Sequence, residues 1–215
     1  LPLLQQLNAS DVTGSGYAGW VAGLPRLYNL FVSPKATVEQ LESIGPHPTL
    51  GWTTTTLGSD AKETLRQLGR LPALRSLGVK VTEQAKSEDF SYVADLANLE
   101  ELRWFFGKLD GNVLKPIGKN GKLSTLILVN VEIGDNFLEG LEALTQLTEL
   151  ELANMHDLPF TSDQLVQTLT KLTHLEKWPL LAGISSNSLQ LISEHRPLKQ
   201  LTLRSKGDDV ELKQL

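Results

Sequence analysis

A three-residue spacing of apolar side chains, L-x-x-L-x-x-L, returns nine times along this chain of 215 residues, at intervals of about two dozen. The motif runs Leu1, Leu4, Leu7; Leu24, Leu27, Leu30; His47, Leu50, Thr53; Leu71, Leu74, Leu77; Leu96, Leu99, Leu102; Asn120, Leu123, Leu126; Leu144, Leu147, Leu150; Leu169, Leu172, Leu175; and His195, Leu198, Leu201. Its last positions are separated by 23, 23, 24, 25, 24, 24, 25 and 26 residues. A unit of that length cannot bury its own apolar face, so the units must stack and share one continuous core.

Within a unit the apolar spacing changes. It is three through Leu65, Leu68, Leu71, Leu74 and Leu77, and through Phe90, Val93, Leu96, Leu99 and Leu102. After the last motif leucine it becomes two, as from Leu126 to Leu128, Leu150 to Leu152, Leu201 to Leu203 and Leu30 to Val32. That change of period marks a helix or 3₁₀ turn feeding a short strand. Helix starts are legible at Ser59-Asp60 and Thr161-Ser162-Asp163, whose side chains can accept from free first-turn N–H groups, and at Pro34 ahead of Ala36-Thr37-Val38-Glu39. Gly45, Gly69 and Gly140 fall near helix ends or sharp bends.

From end to end the chain resembles the leucine-rich repeat superfamily. The resemblance implies an α/β solenoid curved as a right-handed horseshoe, with about nine parallel strands on the concave face and helices on the convex one. The asparagine that the superfamily places after each strand is missing from the position where it is expected, which holds Val12, Lys35, Gly58, Thr82, Gly107, Val131, Met155, Leu180 and Lys206. An asparagine ladder therefore cannot satisfy the turn backbone there. Two units are weak: the third reads Leu50-Gly51-Trp52-Thr53-Thr54-Thr55-Thr56, keeping β propensity without leucines, and the eighth reads Leu175-Glu176-Lys177-Trp178-Pro179. At the eighth, either the strand bulges or the register slips by one residue.

An unbroken repeat argues for one domain over residues 1–215. The motif starts at Leu1, and Asp208-Asp209-Val210-Glu211-Leu212 reads as the start of another helix, so a longer parent chain is expected. The formal net charge of -5 offers no global attraction to phosphate backbones or anionic lipids, and neither nucleic acid binding nor membrane insertion is expected. No cysteine is present, which excludes disulfides, thiolate metal sites and a cysteine nucleophile. It tilts the expectation toward the cytoplasm and leaves secretion open.

Chemistry-bearing motifs are few. Gly14-Ser15-Gly16-Tyr17-Ala18-Gly19 matches G-x-G-x-x-G, but Pro25 follows within six residues and leaves too short a helix for a dinucleotide site. It reads as a turn between the first two units. The histidines, His47, His156, His174 and His195, show no H-x-x-x-H or H-E-x-x-H spacing, and His47 and His195 share one repeat position, which argues for a structural role. With no nucleophile elbow and no phosphate-binding loop, neither an enzyme nor a cofactor or metal is expected. Asn8-Ala9-Ser10 is a glycosylation sequon that matters only in a secreted eukaryotic chain.

The strand face is the informative surface. Alternation places the residues one before, one after and three after each strand leucine on the outward side. Phe31, Trp52, Phe105 and Trp178 fall there in a chain with only 6% aromatic residues, as do Ile127 and Val129, while Trp104 faces inward. Aromatic rings and arginine bury large areas at low entropy cost, as binding hot spots require. The expected protein-binding residues are Phe31, Trp52, Glu101, Arg103, Phe105, Ile127, Val129, Glu149, Glu151 and Trp178, with Glu149, Glu151 and Glu176 favouring a partner that carries a basic patch. Superfamily resemblance implies a non-catalytic scaffold for protein recognition. The alternative is the substrate-recognition arm of a larger enzyme, such as a ubiquitin ligase or a secreted bacterial effector.

Overall fold

The computed structural model describes residues 1–9, 16–31, 37–155 and 157–204. Ser10, Ser33, Pro34, His156, residues 208–212 and Gly14-Ser15 of the glycine motif lie outside this set, as do the side chains of Tyr17 and Arg204. Strand and helix alternate as the change of spacing requires. The order is β1 (Gln6–Asn8), α1 (Gly16–Ala22), β2 (Asn29–Phe31), α2 (Val38–Ile44), β3 (Trp52–Leu57), α3 (Ala61–Leu68), β4 (Ser76–Val81), a 3₁₀ helix (Ser87–Asp95), β5 (Glu101–Phe105), β6 (Lys108–Leu109), α4 (Gly111–Ile117), β7 (Thr125–Val129), β8 (Glu132–Ile133), α5 (Phe137–Leu141), β9 (Glu149–Ala153), α6 (Ser162–Leu169), β10 (Leu181–Ala182), α7 (Ser186–Glu194) and β11 (Leu203–Arg204). Every strand pairing is parallel. Seven strands form one sheet in the order β1-β2-β3-β4-β5-β7-β9.

Register follows the repeat. Leu7 pairs with Leu30, Leu30 with Thr53, Thr53 with Leu77, Leu77 with Leu102, Leu102 with Leu126 and Leu126 with Leu150. The last motif residue of each unit thus stacks on its predecessor, and Leu30, Leu77, Leu102, Leu126 and Leu150 are buried in one core that also takes the helix leucines Leu65, Leu114 and Leu141. Trp104 joins it at 1% exposure, with its ring 4.8 Å from Phe90.

Polar residues at leucine positions are tied to the neighbouring unit, because a buried polar group without a partner is costly. Thr53 Oγ1 donates to the Leu30 carbonyl at 3.1 Å. Asn120 Nδ2 donates to the carbonyls of Val93 (3.2 Å) and Leu96 (3.0 Å), and its Oδ1 accepts from Lys122 N–H at 3.0 Å. His195 Nε2 lies 2.9 Å from the Leu175 carbonyl. His47 shares its repeat position with these two, and its Nε2 is buried without a hydrogen-bond partner among the described residues.

Thr37 and Thr161 cap α2 and α6, each in a reciprocal capping box with Gln40 or Gln164. Asp60 precedes α3 without a side-chain cap bond. Asparagine does serve the strand-to-helix turns, one residue earlier than the position inspected in the sequence. Asn130 and Asn154 adopt φ of 53° and 52°, and Phe106, the equivalent residue of the fifth unit, adopts 60°. Asparagine tolerates this left-handed conformation far better than other side chains do.

Two expectations need correction. The nine strands do not form one sheet: β10 and β11 make a separate pair, and β6 with β8 adds a small parallel pair of its own. The eighth unit is also displaced by three residues. Isolated bridges join Glu149 to Lys177 and Lys177 to Gln200, so Trp178 stands where Leu150 and Leu201 stand in their units. The motif there is Leu172, Leu175, Trp178, and the last-position spacings become 28 and 23. Leu169, Leu172, Leu175 and Trp178 are all three apart, so spacing alone could not choose between the two frames. The strand bulges as well: after the Lys177 to Gln200 bridge, β10 pairs Leu181 with Leu203, one residue out of step.

Candidate functional site

Outward side chains line up in rows across the sheet because the register is regular. One row reads Asn29, Trp52, Ser76, Glu101, Thr125, Glu149 and Lys177, and the next, through the central strands, Thr54, Gly78, Arg103, Ile127 and Glu151. A third carries Thr56, Lys80, Phe105, Val129 and Ala153.

Aromatic rings gather at two places. Phe31 and Trp52 meet with centroids 4.1 Å apart, and Phe31 remains 39% exposed. Tyr28, 48% exposed, lies across Gly51, where a Cβ would come within 2.2 Å of its ring. On the central strands Phe105 leans over Gly78: a Cβ there would sit 3.3 Å from the Phe105 ring and 2.8 Å from Thr54 Cγ2. Phe106 follows at the rim, 47% exposed, with Lys80 Nζ 5.5 Å from its ring centroid. Glycine in both places is the space that lets a ring lie flat on the strands.

Between the rings and the acidic strand lies a polar network. Glu101 accepts from Ser76 Oγ at 2.7 Å and from Arg103 Nε at 2.6 Å. Partial burial pushes the Glu101 carboxyl up, but these two bonds and the guanidinium charge outweigh it and hold the group below the ordinary glutamate range. Arg103 is shifted upward, first by its bond to Glu101, against partial desolvation, and with help from Glu101, Glu151 and Glu149 charges. Lys177 Nζ pairs with Glu149 at 2.8 Å and is itself shifted upward by that bond. Lys199 pairs with Glu176 at 2.8 Å. Glu151 is exposed and has no ion pair among the described residues. Two of the three acids thought to form an acidic field are therefore neutralised locally.

Of the ten residues singled out from the sequence, Phe31, Trp52, Glu101, Arg103, Phe105, Val129, Glu149 and Glu151 are exposed or half-buried on the strand face. Ile127 faces the same way but is only 9% exposed, flanked in register by Arg103 and Glu151. Trp178 is a correction: the three-residue displacement turns it inward, 5% exposed, with its ring 5.1 Å from His195. Sequence reasoning missed Tyr28 and Phe106, which lie just outside the alternating positions. The glycines at positions 51 and 78 were the available signal for rings lying across the strands.

Among the described residues no cluster of three or more histidine, aspartate or glutamate side chains could hold a metal ion, and no helix is long and apolar enough to cross a membrane.

Neither a protein-family model nor a curated protein matches the chain. Among solved structures it is similar to an internalin, InlF, from Listeria monocytogenes, at 12% identity and a TM-score of 0.42, over 90% of this chain and 66% of that one. It is also similar to TLR13 in a complex with ssRNA13, at 15% identity and a TM-score of 0.50, over 95% of this chain and 36% of TLR13. The chain thus spans 66% of the internalin's length and 36% of TLR13's. The likeness to TLR13 concerns the fold, which is that of a leucine-rich repeat solenoid.

Proposed function

We propose that this chain is a non-catalytic scaffold that recognises another protein through its strand-lined face, chiefly across the third to sixth repeats. The observation that carries this reading is the pair of aromatic groupings, Phe31 with Trp52 and Phe105 over Gly78, which keep part of their ring surface open on the strand face. Rings immobilised in advance lose little entropy on binding and still have area to bury, which is what an interface anchor needs.

Arg103 and Glu101 supply polar specificity at the centre, where their mutual bond fixes both side chains in place. Val129 and Ile127 extend the apolar ground. Lys177 and Lys199 answer Glu149 and Glu176, so the basic feature sought in a partner is a local one that meets Glu151. TLR13 is complexed with ssRNA; here a net charge of -5 and the engagement of Arg103, Lys177 and Lys80 with carboxylates or a ring favour protein over nucleic acid.

Immobilised wild-type protein and a Trp52→Ala, Phe105→Ala double variant are exposed to native lysate, and the captured proteins identified by mass spectrometry. A protein retained by the wild type and lost by the folded double variant supports the reading. Equal capture by both moves the site off this face.

A further inference from the structure

The parallel sheet breaks between the seventh and eighth repeats, and the break has a chemical cause. Lys177 N–H donates to the Thr148 carbonyl at 3.0 Å, and Leu150 N–H donates to the Lys177 carbonyl at 3.1 Å. In a parallel ladder the next bond falls two residues on, from residue 179 to the carbonyl of Leu150. Residue 179 is proline and has no N–H to give. Beyond that point β9 pairs with no strand on its far side among the described residues, and β10 turns instead to β11. The connection after β9 is longer too, because 28 residues separate Leu150 from Trp178 where most units use 23 to 25.

What remains is an opening in the strand face of about 360 Å³, lined among others by Glu149, Glu151, Leu152, Pro179, Leu180 and Thr202. Its effect on the core is visible. Val79, Trp104 and Leu128 are buried at the inward position two residues past the motif, whereas Leu152, the equivalent residue on β9, is only half-buried. Leu180, pushed out by the bulge, is 47% exposed at the opposite wall.

We infer that this break is a docking cleft for an extended segment of a protein partner that carries a lysine or arginine next to an apolar residue. The inference rests on the strand-face reading and names one subsite within it. An extended chain laid along the free edge of β9 supplies the N–H that Pro179 lacks, which is recognition by strand addition. The neighbouring side chains select its chemistry. Glu151 is exposed and free of ion pairs among the described residues, while Glu149 is already answered by Lys177, so one further cation on the segment completes the local charge. Leu152 and Leu180 offer apolar contact on either side.

The probe is a phage-displayed library of random short peptides selected against the whole protein, followed by calorimetric titration of the enriched sequences as synthetic peptides. The expected consensus places lysine or arginine beside a leucine, isoleucine or valine. Its affinity should fall about tenfold in Glu151→Gln, the worth of one hydrogen bond to a charged group. Pro179→Val restores the missing donor, lets the ladder close and should abolish binding. Should that variant fail to fold, the exposed Glu151→Gln substitution decides by itself. Lys62→Ala, on α3 and off the strand face, should leave these peptides' affinity unchanged. The cleft is refuted by the absence of enrichment, by a consensus without a cation, or by affinity indifferent to Glu151→Gln. Peptides lost on Trp52→Ala instead would overturn the cleft and leave the strand-face reading standing.

Discussion

Two glycines in helices should respond to the same alanine substitution in opposite ways. Gly19 lies within α1 and a Cβ added there meets nothing within 4 Å among the described residues. Gly19→Ala should therefore stabilise the protein by about 0.5–1 kcal/mol, the ordinary gain from removing a helical glycine. Gly111 opens α4 against α5, and a Cβ added there would lie 2.1 Å from the Asn136 carbonyl oxygen and 2.7 Å from its carbon. Favourable non-bonded separation is about 3.5 Å, so the Asn136 backbone would have to retreat by more than an ångström. Gly140 makes the same approach from the other side, since its Cβ would fall 2.5 Å from Gly111 Cα. Backbone cannot rotate away as a side chain can. Overpacking of this kind costs about 1–3 kcal/mol, more than helix propensity returns. Urea titration followed by circular dichroism measures both variants against wild type. Gly111→Ala should unfold at lower urea and Gly19→Ala at higher. A Gly111→Ala protein as stable as wild type would refute the close α4–α5 approach and the relative placement of the sixth and seventh repeats.

Leu126→Ala, at the centre of the stack and fully buried, should cost about 2–5 kcal/mol in the same titration, and Leu4→Ala, partly buried near one end, should cost less; the reverse order would show the core displaced. Thr161→Ala removes the capping box of α6 and should lower stability by about 1 kcal/mol, a fall of roughly 2–4 °C in thermal melting for a chain of this size. Glu101 has a depressed folded-state pKa, so the stability it contributes is present above the ordinary glutamate pKa of about 4.3 and is lost as pH falls through the lower folded value. Unfolding free energy measured from neutral to acid pH should therefore show wild type and Glu101→Gln converging at the acid end; a gap that widens on acidification would contradict the sign of that shift.

Periodicity made the architecture legible because each leucine triplet reports a strand's inward side and its neighbour in the stack at once. Across the central units, as at Leu126 and Leu150, the frame read from the triplets is the one the ladder keeps, and the outward rows followed. It failed at Leu169 to Trp178, since the helix end, the motif and the strand tryptophan all keep one spacing of three. Only the ladder, through Lys177, chooses the frame and sends Trp178 inward. Pro179 was visible in the sequence, yet its consequence depends on which carbonyl it faces, and that is a register property. Charge was misjudged for a similar reason: Glu149 and Glu176 looked like a field until their units were aligned with Lys177 and Lys199 across the strands. Asn130 and Asn154 were overlooked by one position, because the turn here takes its left-handed residue four places past the motif leucine.

The most direct test of the strand face as the working surface is calorimetric titration of the captured partner against four variants with verified melting curves. Trp52→Ala and Phe105→Ala should each weaken binding by at least about 1–2 kcal/mol, as truncating an anchor in a desolvated centre does. Lys62→Ala and Lys86→Ala, off the strand face at α3 and the start of the 3₁₀ helix, should change it little. Full affinity in the two aromatic variants together with loss in the two lysine variants would contradict the account and assign recognition to the helical side.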